Sequence, residues 1–458
     1  MRKLFDQIKS SKRFTNIVKI VSGKLGGQLI NILSIPILAR IYGAEILGIW
    51  AFLNAICLFI NSFSDLGLIQ SIMIEKEDDH QAENLYEVIS TISFIVSIIS
   101  TLAICLFYFF TNTYEAGLNF IFLFIYLFLS MFFLKQTQIC YSWLNKRGNY
   151  NVLMKNPMIS NFSFAFTSII FGLFGFIEYG YFIGWLIGKI ITVLHMKRYM
   201  PQRFLTLEFK KFQVVIARHL DFIKYQLPSN ILIQFKSQIP VFFITSFFGV
   251  EMLGFYTITF IIIKMPSSLL GSAFGRVFYQ EASDIAAKGK SIGEYALKNI
   301  KEITRLALIP MIIFISLGGH FLSLFLETEW QMASEMFAII SFQAYYRLLS
   351  ASSQGITVIM KKQYYRMLIV IAQISLSCIA FLIGSVFLND ILAALIITTV
   401  GEILINVLFF SKMFDVMETN PRKYLKRKYL NTVLLNFFLI LCCSFIIRYL
   451  FSILITLK

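Results

Sequence analysis

Six cations stand where the sequence is otherwise apolar. Lys24, Lys135, Lys189, Lys236, Lys264 and Arg347 each lie well inside a long hydrophobic run. A depth of about ten helical residues is roughly 15 Å at 1.5 Å per residue. An ammonium or guanidinium at that depth is costly unless an anion accompanies it. The chemistry that suits such a set is the binding of a phosphate or carboxylate. For each lysine there are two plainer readings, a salt bridge between helices and snorkelling of the stem towards an interface. Only two carboxylates lie comparably deep, Asp65 and Glu402. A carboxyl group in apolar surroundings is easier to protonate, so both are candidates for coupling to an ion gradient. Their structural alternative is pairing with a lysine of a neighbouring helix.

Nothing in the chain resembles a catalytic constellation. His80, His195, His219 and His320 are scattered, and there is no phosphate-binding glycine loop, HExxH helix or nucleophile elbow. The six cysteines all fall in apolar runs without metal-ligand spacing, and read as small packing residues. The expectation is a protein that is no enzyme and needs no cofactor or metal. Any active transport then draws on an ion gradient or on the substrate gradient.

The elements that must position these charges are membrane helices. Hydrophobic residues make up 57% of the 458, and charged residues only 14%, against roughly 25% in soluble domains. The net charge of +16 does not point to nucleic acid, because the basic residues cluster in short segments between apolar runs. About thirteen runs are long enough to span a bilayer, the tenth being the least apolar. Connections alternate in charge. One set is short and acidic, with Glu45, Glu115, Glu178, Glu251, Glu327, Glu329 and Asp390; the other carries Lys146-Arg147, Lys197-Arg198, Lys210-Lys211, Lys361-Lys362 and the run Arg422 to Lys428. The positive-inside rule places the basic set and the N-terminus in the cytoplasm. The acidic EKEDD run beginning at Glu75 falls on the same side, and acidic residues count little in that rule.

The chain also repeats itself. GAEILG at Gly43 to Gly48 returns as GVEMLG at Gly249 to Gly254, each with an Ile-Pro pair upstream and an aromatic, Trp50 or Tyr256, two residues beyond. An even number of spans separates the copies, so the repeats are parallel. The expected fold is an all-α polytopic membrane protein of two six-helix bundles plus an additional C-terminal span. Its boundaries are a first bundle over 1–200, a cytoplasmic hinge loop over 201–218, a second bundle over 219–414, and a basic loop and last helix over 415–458. Pro36, Pro228, Pro240, Pro266 and Pro310 fall within the runs, where each removes a backbone donor. SGKLGG around Lys24 gathers small residues, which allow close helix packing or leave room for substrate.

Two stretches carry a family resemblance. Ile35 to Leu68 resembles the first two spans of bacterial polysaccharide-unit exporters, and LPSNILIQFKSQIPVFFITSFFGVEMLGFY with Lys264 to Asp284 resembles the start of their second half. These exporters are the O-antigen (Wzx-type) flippases of the superfamily that also holds the MATE drug exporters and the lipid II flippase. The resemblance implies an oligosaccharide joined through pyrophosphate to undecaprenol as substrate, for O-antigen of lipopolysaccharide or for capsule. It implies alternating access in the bacterial cytoplasmic membrane, coupled to protons or sodium, beside membrane lipid and other polysaccharide-assembly proteins. A MATE-like exporter of small organic cations is the rival, and it would want carboxylates rather than lysines in its lumen.

The charge alternation makes a direct prediction. In a cysteine-free background, single cysteines at Lys146, Lys211, Lys288 and Lys428 should react with an impermeant reagent only after permeabilisation. Those at Glu115, Glu251 and Glu329 should react in intact cells. Labelling of position 211 from outside intact cells overturns the orientation.

Overall fold

The computed structural model describes residues 12–73, 79–111, 118–326, 328–353, 355–417 and 424–456, and among these it contains helices and no strands. Glu115, Glu327, Arg422 and most of the EKEDD run therefore lie outside the described residues. The chain divides into two compact units, Met1–Val241 and Phe242–Lys458, each taken in turn below.

The first unit opens with α1 (Lys12–Asn61), a 50-residue run that contains one non-helical residue, Gly43, at φ 69°, ψ 174°. That backbone region is essentially open to glycine alone. α1 is thus two helices bent at the repeat motif. A short 3₁₀ segment (Leu68–Met73) leads to α2 (Asp79–Thr111), α3 (Phe120–Lys146), α4 (Tyr150–Leu173) and α5 (Ile177–Lys197). Glycines spaced one turn apart bring these helices together. A Cβ on Gly23 would fall 2.0 Å from the Met154 carbonyl oxygen, and one on Gly27 2.7 Å from that of Pro157. From α5, a Cβ on Gly184 would meet Ser168 at 2.1 Å, and one on Gly188 the Ser160 carbonyl at 2.9 Å. Of the two readings of SGKLGG, close packing of α1 on α4 is the one realised at Gly23 and Gly27. Tyr42, Trp50, Tyr181 and Trp185 complete this layer edge to face, and the Tyr42 hydroxyl donates to the Ser168 carbonyl at 2.6 Å.

The stretch 201–218 holds a ten-residue amphipathic helix, α6 (Phe209–Arg218). Its Val215 joins the apolar cluster of Leu68, Ile72, Leu85, Tyr86, Ile139 and Trp143. Lys211 donates to Glu87 of α2 at 2.8 Å, and that hydrogen bond raises the lysine's pKa, keeping it charged. A π turn (Phe222–Gln226) then opens α7 (Leu227–Phe248), within which the two units divide.

At the second copy of the repeat the backbone does the same thing. Gly249, at φ 90°, ψ 170°, separates α7 from α8 (Val250–Pro266). The second unit continues through a π turn (Ser267–Gly271) directly after Pro266 into α9 (Ser272–Ala287), then α10 (Gly293–Leu326). After these come α11 (Gln331–Ile340), α12 (Phe342–Ser352), the single turn α13 (Ile356–Ile359), α14 (Gln363–Leu382), α15 (Ile391–Met417) and α16 (Tyr424–Thr456). Several acidic residues of the short connections begin helices: Glu178, Glu251 and Asp390, whose Oδ1 accepts from the Leu392 N–H at 2.8 Å. Negative charge there complements the exposed N–H groups of the first turn.

Among the described residues, ten helices are long and apolar enough to cross a membrane. They differ from the expected runs in three places. The first two runs meet directly at the kink of Gly43, with no loop between the two helices. The fifth, α4, carries Asn156, Asn161, Ser160, Ser163 and Ser168 and is less apolar. The tenth is divided at Ser341 into α11 and α12, each too short to span alone.

Nothing lies within 4 Å of a Cβ placed on Gly43 or Gly249, so an alanine there meets backbone strain and no clash. Gly43→Ala and Gly249→Ala should each cost about 1–3 kcal/mol, read as a lowered Tm in detergent. A wild-type Tm for both variants refutes the shared hinge.

Candidate functional site

Asp65 sits just past the end of α1, where Leu66 (φ 53°) and Gly67 (φ 76°) reverse the chain through two left-handed residues. Its carboxylate has two tasks. Oδ2 accepts from the Ile69 N–H at 2.9 Å, closing the start of the 3₁₀ segment. Oδ1 accepts from Lys135 Nζ, 2.8 Å away in the middle of α3. Asp65 is 1% exposed and Lys135 2%. The two charges thus form one buried ion pair, the pairing of carboxylate and lysine across helices that the sequence left open.

The pair borders a cavity of ≈ 230 Å³. Its other polar walls are Asn61, Ser62, Gln138, Asn230 and Gln234. Asn230, Gln234 and Gln238 of α7 form a stripe at four-residue spacing that continues back to Gln226 of the π turn, which donates to Asn230 at 2.8 Å. That spacing keeps side chains on one face of a helix. Lys236, two residues past Gln234, falls on the other side of α7 and does not line this cavity. The volume suits a few waters or a small ion, and is far below that of an oligosaccharide.

Lys189 of α5 is half-buried. Its Nζ lies 3.4 Å from Ser160 Oγ and 5.4 Å from the centre of the Trp185 ring. Among the described residues no carboxylate pairs with it. Lys24 on α1 and Lys264 on α8 are exposed, and Lys236 is half-buried.

In the second unit a polar layer runs through the apolar helices. Arg347 of α12 donates from Nε and Nη2 to Gln343 Oε1 at 3.2 and 3.0 Å, and lies over the Phe260 ring at 4.9 Å. Gln343 in turn donates to Thr399 of α15 at 2.9 Å. One turn further along α15, buried Glu402 accepts from Gln373 of α14 at 2.9 Å. Asn406 donates to the Glu402 carbonyl at 2.7 Å and accepts from Ser350 at 2.8 Å. Tyr256, the aromatic of the repeat motif, is within electrostatic reach of both Arg347 and Glu402. Arg347 therefore stands on neutral partners, with no carboxylate at ion-pair distance among the described residues.

The charged members of this site were visible as charges in apolar sequence. The neutral ones, Asn61, Gln138, Asn230, Gln234, Gln343, Gln373 and Asn406, were not singled out. The signal that marks them is the same, an amide inside a hydrophobic run, and on α7 its recurrence every fourth residue. Among the described residues no group of His, Cys, Asp and Glu could hold a metal ion.

The buried pair yields a thermodynamic prediction. Asp65→Asn or Lys135→Met alone leaves a charge without its partner, at a cost of about 3–5 kcal/mol. The double variant removes both charges and should recover most of the Tm lost by either single one. Additive losses in the double variant refute the pairing.

Over residues 37–335 the chain matches the family model described as polysaccharide biosynthesis protein. No curated protein matches it in sequence. Among solved structures it is similar to the lipid II flippase MurJ in an inward closed conformation. The TM-score is 0.67 at 15% identity, covering 95% of this chain and 98% of that one. It is also similar to an inward-facing multidrug resistance MATE family transporter of the MOP superfamily, with TM-score 0.54, 14% identity, and coverage of 88% and 96%. A MATE structure in complex with MaL6 gives 0.52 at 15% identity, covering 88% and 97%. Identities this low speak to fold alone. The match to more than half its length makes this chain a member of the polysaccharide biosynthesis protein family, a multi-pass membrane protein with the fold that MurJ and the MATE transporters share.

Proposed function

We propose that the protein is a flippase that carries an oligosaccharide, linked by pyrophosphate to undecaprenol, from the inner to the outer face of the cytoplasmic membrane. The observation that carries this reading is the pair of intramembrane cations held by neutral groups only, Lys189 and Arg347. A cation so placed is stabilised by an anionic load, and guanidinium in particular suits phosphate oxygens. Lys24, Lys236 and Lys264 supply further positive charge along the path. The family match supplies the context of polysaccharide assembly. An exporter of organic cations would be poorly served by the same set of charges.

In this reading the pyrophosphate rests against the cations while the glycan occupies water. The polyprenyl tail, too long and apolar for an aqueous chamber, stays in lipid. The halves 1–200 and 219–414 alternate access, with 201–218 between them. Asp65 and Glu402 serve coupling. Asp65 is the better placed of the two for exchange of a small ion, since its pair with Lys135 opens on a cavity of ionic rather than glycan size. One carboxylate holds both Lys135 and the Ile69 N–H, so the ion pair is tied to the backbone that follows α1.

Deleting the gene in a strain with no second flippase should remove surface polysaccharide and leave lipid-linked repeat units on the inner face. Surface polysaccharide at the wild-type level, without accumulation, overturns the proposal. A rise in drug susceptibility instead favours an exporter. In complementation, Lys189→Ala, Arg347→Ala and Lys264→Ala should each lower export at least tenfold at normal membrane expression, and Arg347→Lys less. Asp65→Asn/Lys135→Met should fold yet export poorly. Wild-type export by that double variant assigns the pair a structural role only.

A further inference from the structure

A third intramembrane cation lacks a carboxylate, and the site above does not use it. Arg448 lies on α16, the helix outside the repeat, 24 residues past Tyr424, or about 36 Å along the axis. It is therefore near the end of the span opposite the basic start of that helix. Its Nη2 donates to the Ile315 carbonyl of α10 at 2.6 Å and to the Ala338 carbonyl of α11 at 3.3 Å. The guanidinium also sits 5.9 Å from the centre of the Phe342 ring. No ion pair includes it among the described residues. Guanidinium has five N–H donors in a planar fork, and these contacts engage Nη2 alone. Nε and the other terminal nitrogen keep their donors for something else.

Arg448 lies in the wall of two adjoining cavities. One, of ≈ 820 Å³, is polar on one side, with His320, Ser323, Gln331 and Glu335. The other, of ≈ 310 Å³, is apolar, with Ile396, Val400, Ile403, Phe437 and Leu441. Phe445 and Ala338 are shared by both. The rim is exposed and apolar: Leu324 is 67% exposed, Phe445 60% and Tyr449 68%. In a membrane protein such a rim faces acyl chains. Glu335, at the polar mouth, is held by Gln331 Nε2 at 3.2 Å. The two cavities together offer a cation, a carboxylate and an apolar channel at one end of the bundle.

We propose that these cavities form a phospholipid site selective for a zwitterionic headgroup. The phosphate occupies the open donors of Arg448, the ammonium of the same headgroup meets Glu335, and one acyl chain fills the apolar cavity. A phosphate is the anion a guanidinium fork fits best, and the carboxylate across the pocket disfavours a headgroup carrying only negative charge. Because Arg448 also ties α16 to the carbonyls of α10 and α11, a lipid bound there reinforces the contact of the last helix with those two. Thr399, which accepts from Gln343 beside Arg347, also lines the apolar cavity, so the lipid site adjoins the polar layer of this unit.

Native mass spectrometry of the full-length protein in detergent tests this, with phosphatidylethanolamine, phosphatidylglycerol and inorganic phosphate titrated separately. The expected result is a lipid adduct at least fivefold tighter for phosphatidylethanolamine than for phosphatidylglycerol. Glu335→Gln should abolish that preference, and Arg448→Leu should weaken both lipids at least tenfold. Since Arg448→Leu removes two bonds to backbone carbonyls and can impair folding, Glu335→Gln, with its half-exposed side chain, is the deciding variant. An unchanged preference in Glu335→Gln overturns the zwitterion site. Displacement of the lipid by inorganic phosphate at matching concentration also overturns it, in favour of a plain anion site.

Discussion

Hydrocarbon offers a polar group no hydrogen bond, and this protein is organised by the need to match each such group from within. The backbone meets the demand by being helical. Hydroxyls meet it locally: Ser97 donates to the Ser93 carbonyl at 2.7 Å, Thr192 to Gly188 at 2.7 Å and Thr398 to Ala394 at 2.6 Å. Charges are met in both ways, within a turn of one helix and between helices. Lys135 crosses to Asp65, Arg347 leans on Gln343, and Arg448 bridges the carbonyls of two neighbouring helices. Arg347 and Arg448 rest on neutral oxygen acceptors, side-chain in one case and backbone in the other.

The same constraint explains where the helices break. An interruption exposes N–H and C=O groups, so breaks occur where glycine or proline makes them geometrically accessible and a neighbouring group closes them. Gly43 and Gly249 take up one extended backbone conformation with positive φ at matching points of the repeat. Leu66 and Gly67 reverse the chain, and the Asp65 carboxylate closes the turn. The carboxylate that pairs with Lys135 thus also determines how the first helix hands over to the second.

Packing follows a different logic from that of soluble proteins. Lipid tails are as apolar as leucine, so helices gain little by hiding large side chains from them. The close approaches run through glycine instead, at Gly23 and Gly27 of α1 and at Gly184 and Gly188 of α5, both against α4. Large apolar side chains face outward, Leu33 at 73% exposure and Phe438 at 64% among them. Aromatic rings fill what lies between, as Trp50, Tyr181 and Trp185 do beside the first repeat motif.

Much of this was legible in the chain itself. Hydrophobic length dictates membrane helices, because only helices satisfy their own backbone in lipid. The duplicated glycine motif foretold two equivalent breaks, since the residue that permits a positive φ is itself part of the repeat. Deep charges stand out against apolar neighbours, so Lys135, Asp65, Arg347 and Glu402 could be named in advance. Their partners could not. Asp65 and Lys135 are separated by the whole of α2, and only the packing of α3 beside the end of α1 makes them a pair. Lys236 was grouped with the other cations, yet the helical turn places it away from the cavity that Asn230 and Gln234 line. Arg448 drew no notice in the sequence, where it is one basic residue near the end of a span. Its significance comes from the carbonyls and cavities that α10 and α11 bring to it. Local chemistry is written residue by residue, whereas the partners of a buried charge depend on distances between helices, which no single segment of the chain encodes.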